Sequence, residues 1–127
     1  MYIRGDNVTT KQILDLDYRE EKSKKIIQKC LCKFKPFAKY SDEIVPLEML
    51  EKFMCKLSIK YQIYPQYITP IYLKNEVIQY SISIKRTDTN DWLGSVYACC
   101  LYELVAKTCI KMYSDIKKEN IPERNDV

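Results

Sequence analysis

The sequence predicts an α+β fold, in which a small antiparallel sheet of two or three strands or more packs on helices. Apolar residues recur at helical spacing near both ends of the chain, and one central segment alternates apolar and polar residues with a period of two. The length of 127 residues suits a single domain. The expected order is helix, helix, strand, strand, helix, with helices covering one face of the sheet.

The first helix is expected over residues 17–34. Its apolar positions follow helical spacing: Ile26, Ile27, Cys30, Leu31 and Phe34. Pro36 supplies a stop, because proline cannot continue the hydrogen-bond ladder of a helix. An earlier start, with Thr9 or Thr10 as the N-cap, stays open.

The second helix is expected to have Pro46 in its first turn and to end near residues 59–61. One face of this helix is apolar: Leu47, Leu50, Met54 and Leu57. Lysines at positions 52, 56 and 60 occupy the solvent face.

A hairpin follows the second helix. Residues 61–73 form its first strand, with Pro70 suited to an edge or a bulge, and residues 74–76 form the turn. In the second strand, residues 77–85, four apolar residues alternate with polar ones: Ile78, Tyr80, Ile82 and Ile84. This alternation predicts one buried face and one polar face exposed to water.

Residues 86–91 are expected to be a polar loop, and a long helix is expected to begin at Trp92 or Ser95 and to end at Lys118. Its core stripe is apolar throughout: Ala98, Leu101, Val105, Cys109, Met112 and Ile116. The chain is interpreted as one domain, residues 1–127, with loose termini at residues 1–10 and 119–127.

The composition argues against catalysis. The chain has no histidine, the residue most often used as a general acid or base, and only two glycines. We therefore expect no enzyme activity, no catalytic residue and no cofactor. The six cysteines lack the paired spacing of a zinc site, so we expect no metal and interpret them as reduced thiols. No apolar stretch resembles a signal peptide or a membrane span, which favours the cytoplasm.

Tyrosines cluster on the expected hairpin: Tyr61, Tyr64, Tyr67, Tyr72 and Tyr80. A sheet backed by helices on one side leaves its other face open, and tyrosine is a common anchor in interfaces. The predicted contact residues are Tyr64, Tyr67, Tyr72, Arg86 and Trp92. The alternative for Trp92 is a core plug at a helix start. Pairing of identical chains would cover the open face, so a homo-oligomer is expected.

Four lysines recur along the first expected helix as a basic stripe: Lys22, Lys25, Lys29 and Lys33. Such a stripe can lie along a phosphate backbone, which predicts nucleic-acid binding as an alternative function. The other interpretation is the ordinary solvent face of an amphipathic helix.

Residues 46–118 resemble the phage ABA-sandwich domain family over about sixty per cent of the chain. The resemblance rests on the amphipathic second helix, the alternating strand that contains Ile82, and the pattern Ala98, Glu103 and Ala106. It implies a bacteriophage accessory protein that acts in the host-cell cytoplasm without catalytic residues. The expected function is to bind and block a host defence factor, or to sequester a small anionic, nucleotide-like ligand.

Overall fold

A long C-terminal helix contacts every other major element of the fold. In this computed structural model, which describes residues 9–41 and 43–125 and only the backbone of Tyr67, helices and a three-stranded antiparallel sheet pack on one core. The predicted α+β class is confirmed.

The helices are α1 (Thr10–Leu14), α2 (Glu21–Leu31), α3 (Leu47–Lys60) and α4 (Leu101–Lys118), with a 3-10 helix at Lys35–Tyr40. The strands are β1 (Ile63–Leu73), β2 (Glu76–Arg86) and β3 (Trp92–Ala98). The sheet order is β1-β2-β3, and α4 contacts all three strands as well as α1, α2 and α3.

The first expected helix, residues 17–34, is wrong in its bounds. The structure has two helices, and the first is closed at its start by a capping box in which Thr9 and Gln12 bond each other's backbone N–H. Between the helices, the Asp17 carboxylate accepts hydrogen bonds from the backbone and side chain of Arg19. These local bonds compete with helix formation, so α2 begins only at Glu21.

The hairpin is confirmed, with strand ends shifted by one or two residues. Lys74 and Asn75 form its turn with φ angles of 51° and 68°, the left-handed conformation that a two-residue hairpin turn requires. One face of the sheet is buried against the helices: Ile63, Ile82, Ile84, Val96 and Ala98.

The expected start of the last helix at Trp92 or Ser95 is wrong. Residues 92–98 instead form β3, which pairs with β2 and buries Val96 and Ala98. Two residues separate β3 from helix α4, and the Cys100 side chain accepts a hydrogen bond from the Glu103 backbone N–H at the start of this helix. Trp92 therefore begins a strand rather than a helix.

The helical part of the predicted core stripe is mostly confirmed. Val105, Cys109 and Met112 are buried and Ile116 is half-buried, whereas Leu101 in the first turn is exposed.

The segment after α4 is packed rather than loose as far as residue 124. Ile121 is buried, the Pro122 carbonyl accepts from Gln62 N, and Arg124 N donates to the Lys60 carbonyl. These bonds hold the segment beside the start of β1. Residues 1–8 and 126–127 of the predicted loose termini lie outside the described residues.

Candidate functional site

The face of the sheet turned away from α4 carries aromatic side chains on both outer strands that are at least half exposed. Tyr64 is 50% exposed, Tyr97 52% and Trp92 58%. Serines and a lysine lie between them. We call this surface the open sheet face; its members are Tyr64, Gln66, Ser81, Ser83, Lys85, Trp92, Ser95 and Tyr97.

The strand register places these side chains in rows across the sheet. Lys85 is paired with Tyr64 on one side and with Trp92 on the other. The Lys85 Nζ lies 5.2 Å from the Trp92 ring centroid, a cation–π contact that holds the indole over the sheet. In the next row, the Ser83 and Ser95 hydroxyl oxygens are 3.0 Å apart.

A bulge brings Trp92 to this face. The register shifts between Ile84 and Lys85, so that Ile84 pairs with Gly94 while Lys85 pairs with Trp92. The extra residue, Leu93, is half-buried and packs against the core. Without this shift, strict alternation would turn Trp92 toward the helices.

The open sheet face has the chemical character of a contact surface. Tyr and Trp offer large, rigid contact areas, and serine hydroxyls adapt their hydrogen bonds to a partner. Lys85 is the charged member of the open sheet face as defined above. The arrangement offers a partner aromatic contact area, hydroxyl groups and one ammonium group.

The structure brings together two of the five predicted contact residues, Tyr64 and Trp92. Tyr72 is exposed near the end of the hairpin, away from them in the register. The backbone of Tyr67 lies in β1, but its side chain is outside the described part of the chain. Whether these residues bind a partner remains a prediction.

Arg86, the fifth predicted contact, is engaged within the protein. Its Nε and Nη2 donate to the Asp88 carboxylate at 2.7 and 3.0 Å, and its Nη1 donates to the Glu119 carbonyl at 3.0 Å. The hydrogen bond from Arg86 lowers the pKa of the Asp88 carboxyl. Arg86 thus fixes the loop after β2 to the end of α4.

The lysines of the basic stripe are exposed on the helical side of the molecule. Lys22, Lys25 and Lys29 lie on α2, which packs on α4, and Lys33 follows two residues after its end. Lys24, outside the stripe, forms an ion pair with Glu21 at 3.2 Å. The stripe and the open sheet face therefore belong to different sides of the fold.

A cleft of about 650 Å³ lies between β3, residues 14–19 and α4. Its α4 wall is a ladder of charged side chains at four-residue spacing: Glu103, Lys107, Lys111 and Asp115. Glu103 and Lys107 are only 3% and 2% exposed. The Lys107 Nζ is 2.5 Å from the Glu103 carboxylate and also donates to the Leu14 and Leu16 carbonyls at 3.1 and 2.8 Å.

The second half of the ladder joins α4 to β3. The Lys111 Nζ donates to the Leu93 carbonyl at 2.7 Å and lies 3.0 Å from an Asp115 carboxylate oxygen. Burial raises the pKa of Asp115, against the opposing effect of Lys111. These charges are paired because unpaired charges in a buried position would destabilise the fold.

Sequence reasoning missed Tyr97 and the buried ladder. The expected helix from Trp92 or Ser95 includes Tyr97, so the sequence did not predict that this side chain lies on the open sheet face. The ladder had a signal in the sequence, because charged residues recur every four positions among apolar neighbours on one helix, with opposite signs in the first and the last pair. A helix with apolar residues all round it must bury whatever charges it carries.

No family model, curated protein or solved structure matches this chain. Within the described residues, none of the helices combines the length and apolar character needed to cross a membrane.

Proposed function

We propose that this chain is a non-enzymatic binding protein that uses the open sheet face to hold another protein. The observation that carries the proposal is the exposure of Tyr64, Trp92 and Tyr97 on one side of a sheet whose other side is buried. Soluble proteins seldom expose clustered aromatic side chains without a partner for them.

The shape of the surface favours a protein over a small molecule as the partner. Small-molecule sites are concave and enclose most of their ligand, whereas this face is the side of a pleated sheet with its large residues near the edges. Its mixture of Tyr, Trp and Ser matches the composition of surfaces that recognise proteins.

The resemblance of residues 46–118 to the phage ABA-sandwich domain supports a more specific role. We propose that the partner is a host defence factor, blocked in the host-cell cytoplasm by occupation of its surface. Sequestration of a small anionic ligand is the other form of this antagonism. A thermal-shift screen with nucleotides tests it, because a bound ligand raises Tm by mass action.

The direct experiment compares the wild-type chain with the double variant Trp92→Ser/Tyr97→Ser as bait in lysate of the natural host. We expect a partner that is enriched on the wild type and lost on the variant, with unchanged far-ultraviolet circular dichroism. Ile59→Ser, which removes an exposed apolar side chain from α3, is the matched control and should retain the partner. Equal capture by both baits would overturn the proposal.

Self-association is proposed through the end of the hairpin. Exposed apolar side chains cluster there on both strands: Ile68, Tyr72, Leu73, Val77 and Ile78. A second copy would remove them from water. This contact differs from the expected homo-oligomer, in which identical chains cover the open face of the sheet. Light scattering should give a mass that is a multiple of 15.1 kDa for the wild type and a monomer for Val77→Lys. A wild-type monomer at all concentrations would contradict this.

Nucleic-acid binding is the second candidate, because Lys22, Lys25 and Lys29 are exposed along α2 and Lys33 is exposed just beyond its end. A binder that neutralises about four phosphates should lose affinity steeply between low and moderate salt. If this function holds, Lys25→Glu/Lys29→Glu abolishes retention on DNA while the open-face double variant retains it.

A further inference from the structure

Two thiols and a buried carboxylate meet where β3 passes into α4. The side-chain ligand atoms of Cys99, Cys100 and Glu103 all lie within 4.8 Å of one another. Side chains of adjacent residues in a regular strand point to opposite faces. Here the chain turns from strand to helix, and the turn brings both sulfurs to the carboxylate one helical turn further on.

We propose that Cys99, Cys100 and Glu103 bind a thiophilic divalent cation of the zinc class. This site is separate from the open sheet face, so the inference does not depend on the proposed function. Thiolate and carboxylate together form a ligand set that Zn²⁺ accepts, and three protein ligands leave one position of a tetrahedron for water.

The distances suit such an ion. Zinc binds sulfur at about 2.3 Å and carboxylate oxygen at about 2.0–2.2 Å, which sets ligand atoms of a tetrahedral site about 3.5–3.8 Å apart. Separations of at most 4.8 Å reach these values through small side-chain rotations. Each coordinating thiol releases its proton to water as the bond to the metal forms.

The carboxylate is already oriented by the fold. One oxygen of Glu103 accepts a hydrogen bond from Cys99 N at 2.7 Å, and the other lies 2.5 Å from the Lys107 Nζ. A carboxylate has about four lone-pair positions, so lone pairs remain for a metal. Partners of this kind fix the direction of a ligand and support metal affinity.

The charges balance as well. Two thiolates and a carboxylate carry three negative charges, which a divalent ion and the Lys107 ammonium together neutralise. Charge neutrality is important because Glu103 and Lys107 are both buried. Cys99 is exposed and lines the cleft beside α4, which leaves a route for the ion and for the water at its fourth position.

The test titrates Co²⁺ into the reduced full-length chain and follows the visible bands and thiolate charge-transfer absorption of a cobalt–sulfur site. We expect saturation at one ion per chain, displacement of Co²⁺ by Zn²⁺, and a higher Tm with Zn²⁺. The variant Cys99→Ser, at an exposed position, should bind at least about tenfold more weakly. Cys55→Ser removes an exposed thiol on α3 and should bind like the wild type.

Glu103→Gln distinguishes a three-ligand site from a simple thiol pair. This change keeps the shape of the side chain and should also weaken Co²⁺ binding, and circular dichroism reports whether the variant is folded. Absence of a saturable cobalt–thiolate spectrum in the wild type would overturn the proposal. Unchanged binding by Cys99→Ser would overturn it too, since the ion would then be held elsewhere.

Discussion

The two faces of the sheet are built from alternate residues of the same strands, yet they differ completely in character. Ile84 and Val96 on the inner face are almost inaccessible to water, whereas Tyr97 and Trp92 on the outer face are more than half exposed. Burial of the inner residues against α4 stabilises the fold. The outer aromatics contribute little to that core, and their exposure is the basis of the proposed binding role.

The largest expected difference in the free energy of unfolding is between substitutions at two neighbouring positions of β2 whose side chains point to opposite faces of the sheet. Ile84→Ala empties a fully buried site and should lower the free energy of unfolding by about 2–5 kcal/mol. Ser83→Ala on the open sheet face should change it by less than about 0.5 kcal/mol. Urea unfolding of both variants measures the difference, and equal losses would mean that the outer face is also packed.

A smaller loss of stability is expected from a substitution at the bulge in β3, where the register shift turns Trp92 to the outer face. Gly94 has φ of +114°, a conformation that residues with a Cβ rarely adopt. Gly94→Ala should therefore lower the free energy of unfolding by about 1–3 kcal/mol. The neighbouring Ser95→Ala is the control. If Gly94→Ala is as stable as this control, residue 94 does not hold the positive φ described at the bulge.

The buried thiol of Cys109 predicts that the fold loses stability at high pH. Burial raises the pKa of the Cys109 thiol to about 12 from an unperturbed 9.0, so between these values the folded chain keeps a proton that the unfolded chain loses. The free energy of unfolding should fall as pH rises above 9, by up to about 1.4 kcal/mol per pH unit from this group.

The variant Cys109→Ala removes this contribution. Its free energy of unfolding should fall less steeply above pH 9 than that of the wild type. This holds whatever the difference in stability between the two proteins at neutral pH. The slope should not reach zero, because burial also raises the pKa of Tyr102 to about 12. If the stability of both proteins fell with pH at the same rate above pH 9, burial would not raise the pKa of Cys109 in this way.

Some elements could be predicted from the sequence because a single periodicity marked them. The alternation that includes Ile82 and Ile84 marked β2, and the spacing of Leu50 and Leu57 marked α3. Strand β3 was not predicted, because no glycine or proline separates it from α4. Ala98 and Leu101 are also three residues apart, so a helical pattern runs through the junction.

The candidate site was less predictable than the fold. Tyr64 and Trp92 were identified by residue type alone, whereas Tyr97 required the correct assignment of β3. Arg86 was expected to contact a partner, but it bonds Asp88 and also the Glu119 carbonyl at the end of α4, which is 33 positions away in sequence. The proposed metal site was not predictable, because only the turn into α4 places Glu103 beside the Cys99–Cys100 pair.

The central claim, that one face of the sheet is open, can be tested through Trp92, the single tryptophan of the chain. The measurement is acrylamide quenching of tryptophan fluorescence in dilute, monomeric protein. We expect emission typical of a water-exposed indole and efficient quenching, with protection once a captured partner is added. A blue-shifted, poorly quenched Trp92 in the free monomer would contradict the account.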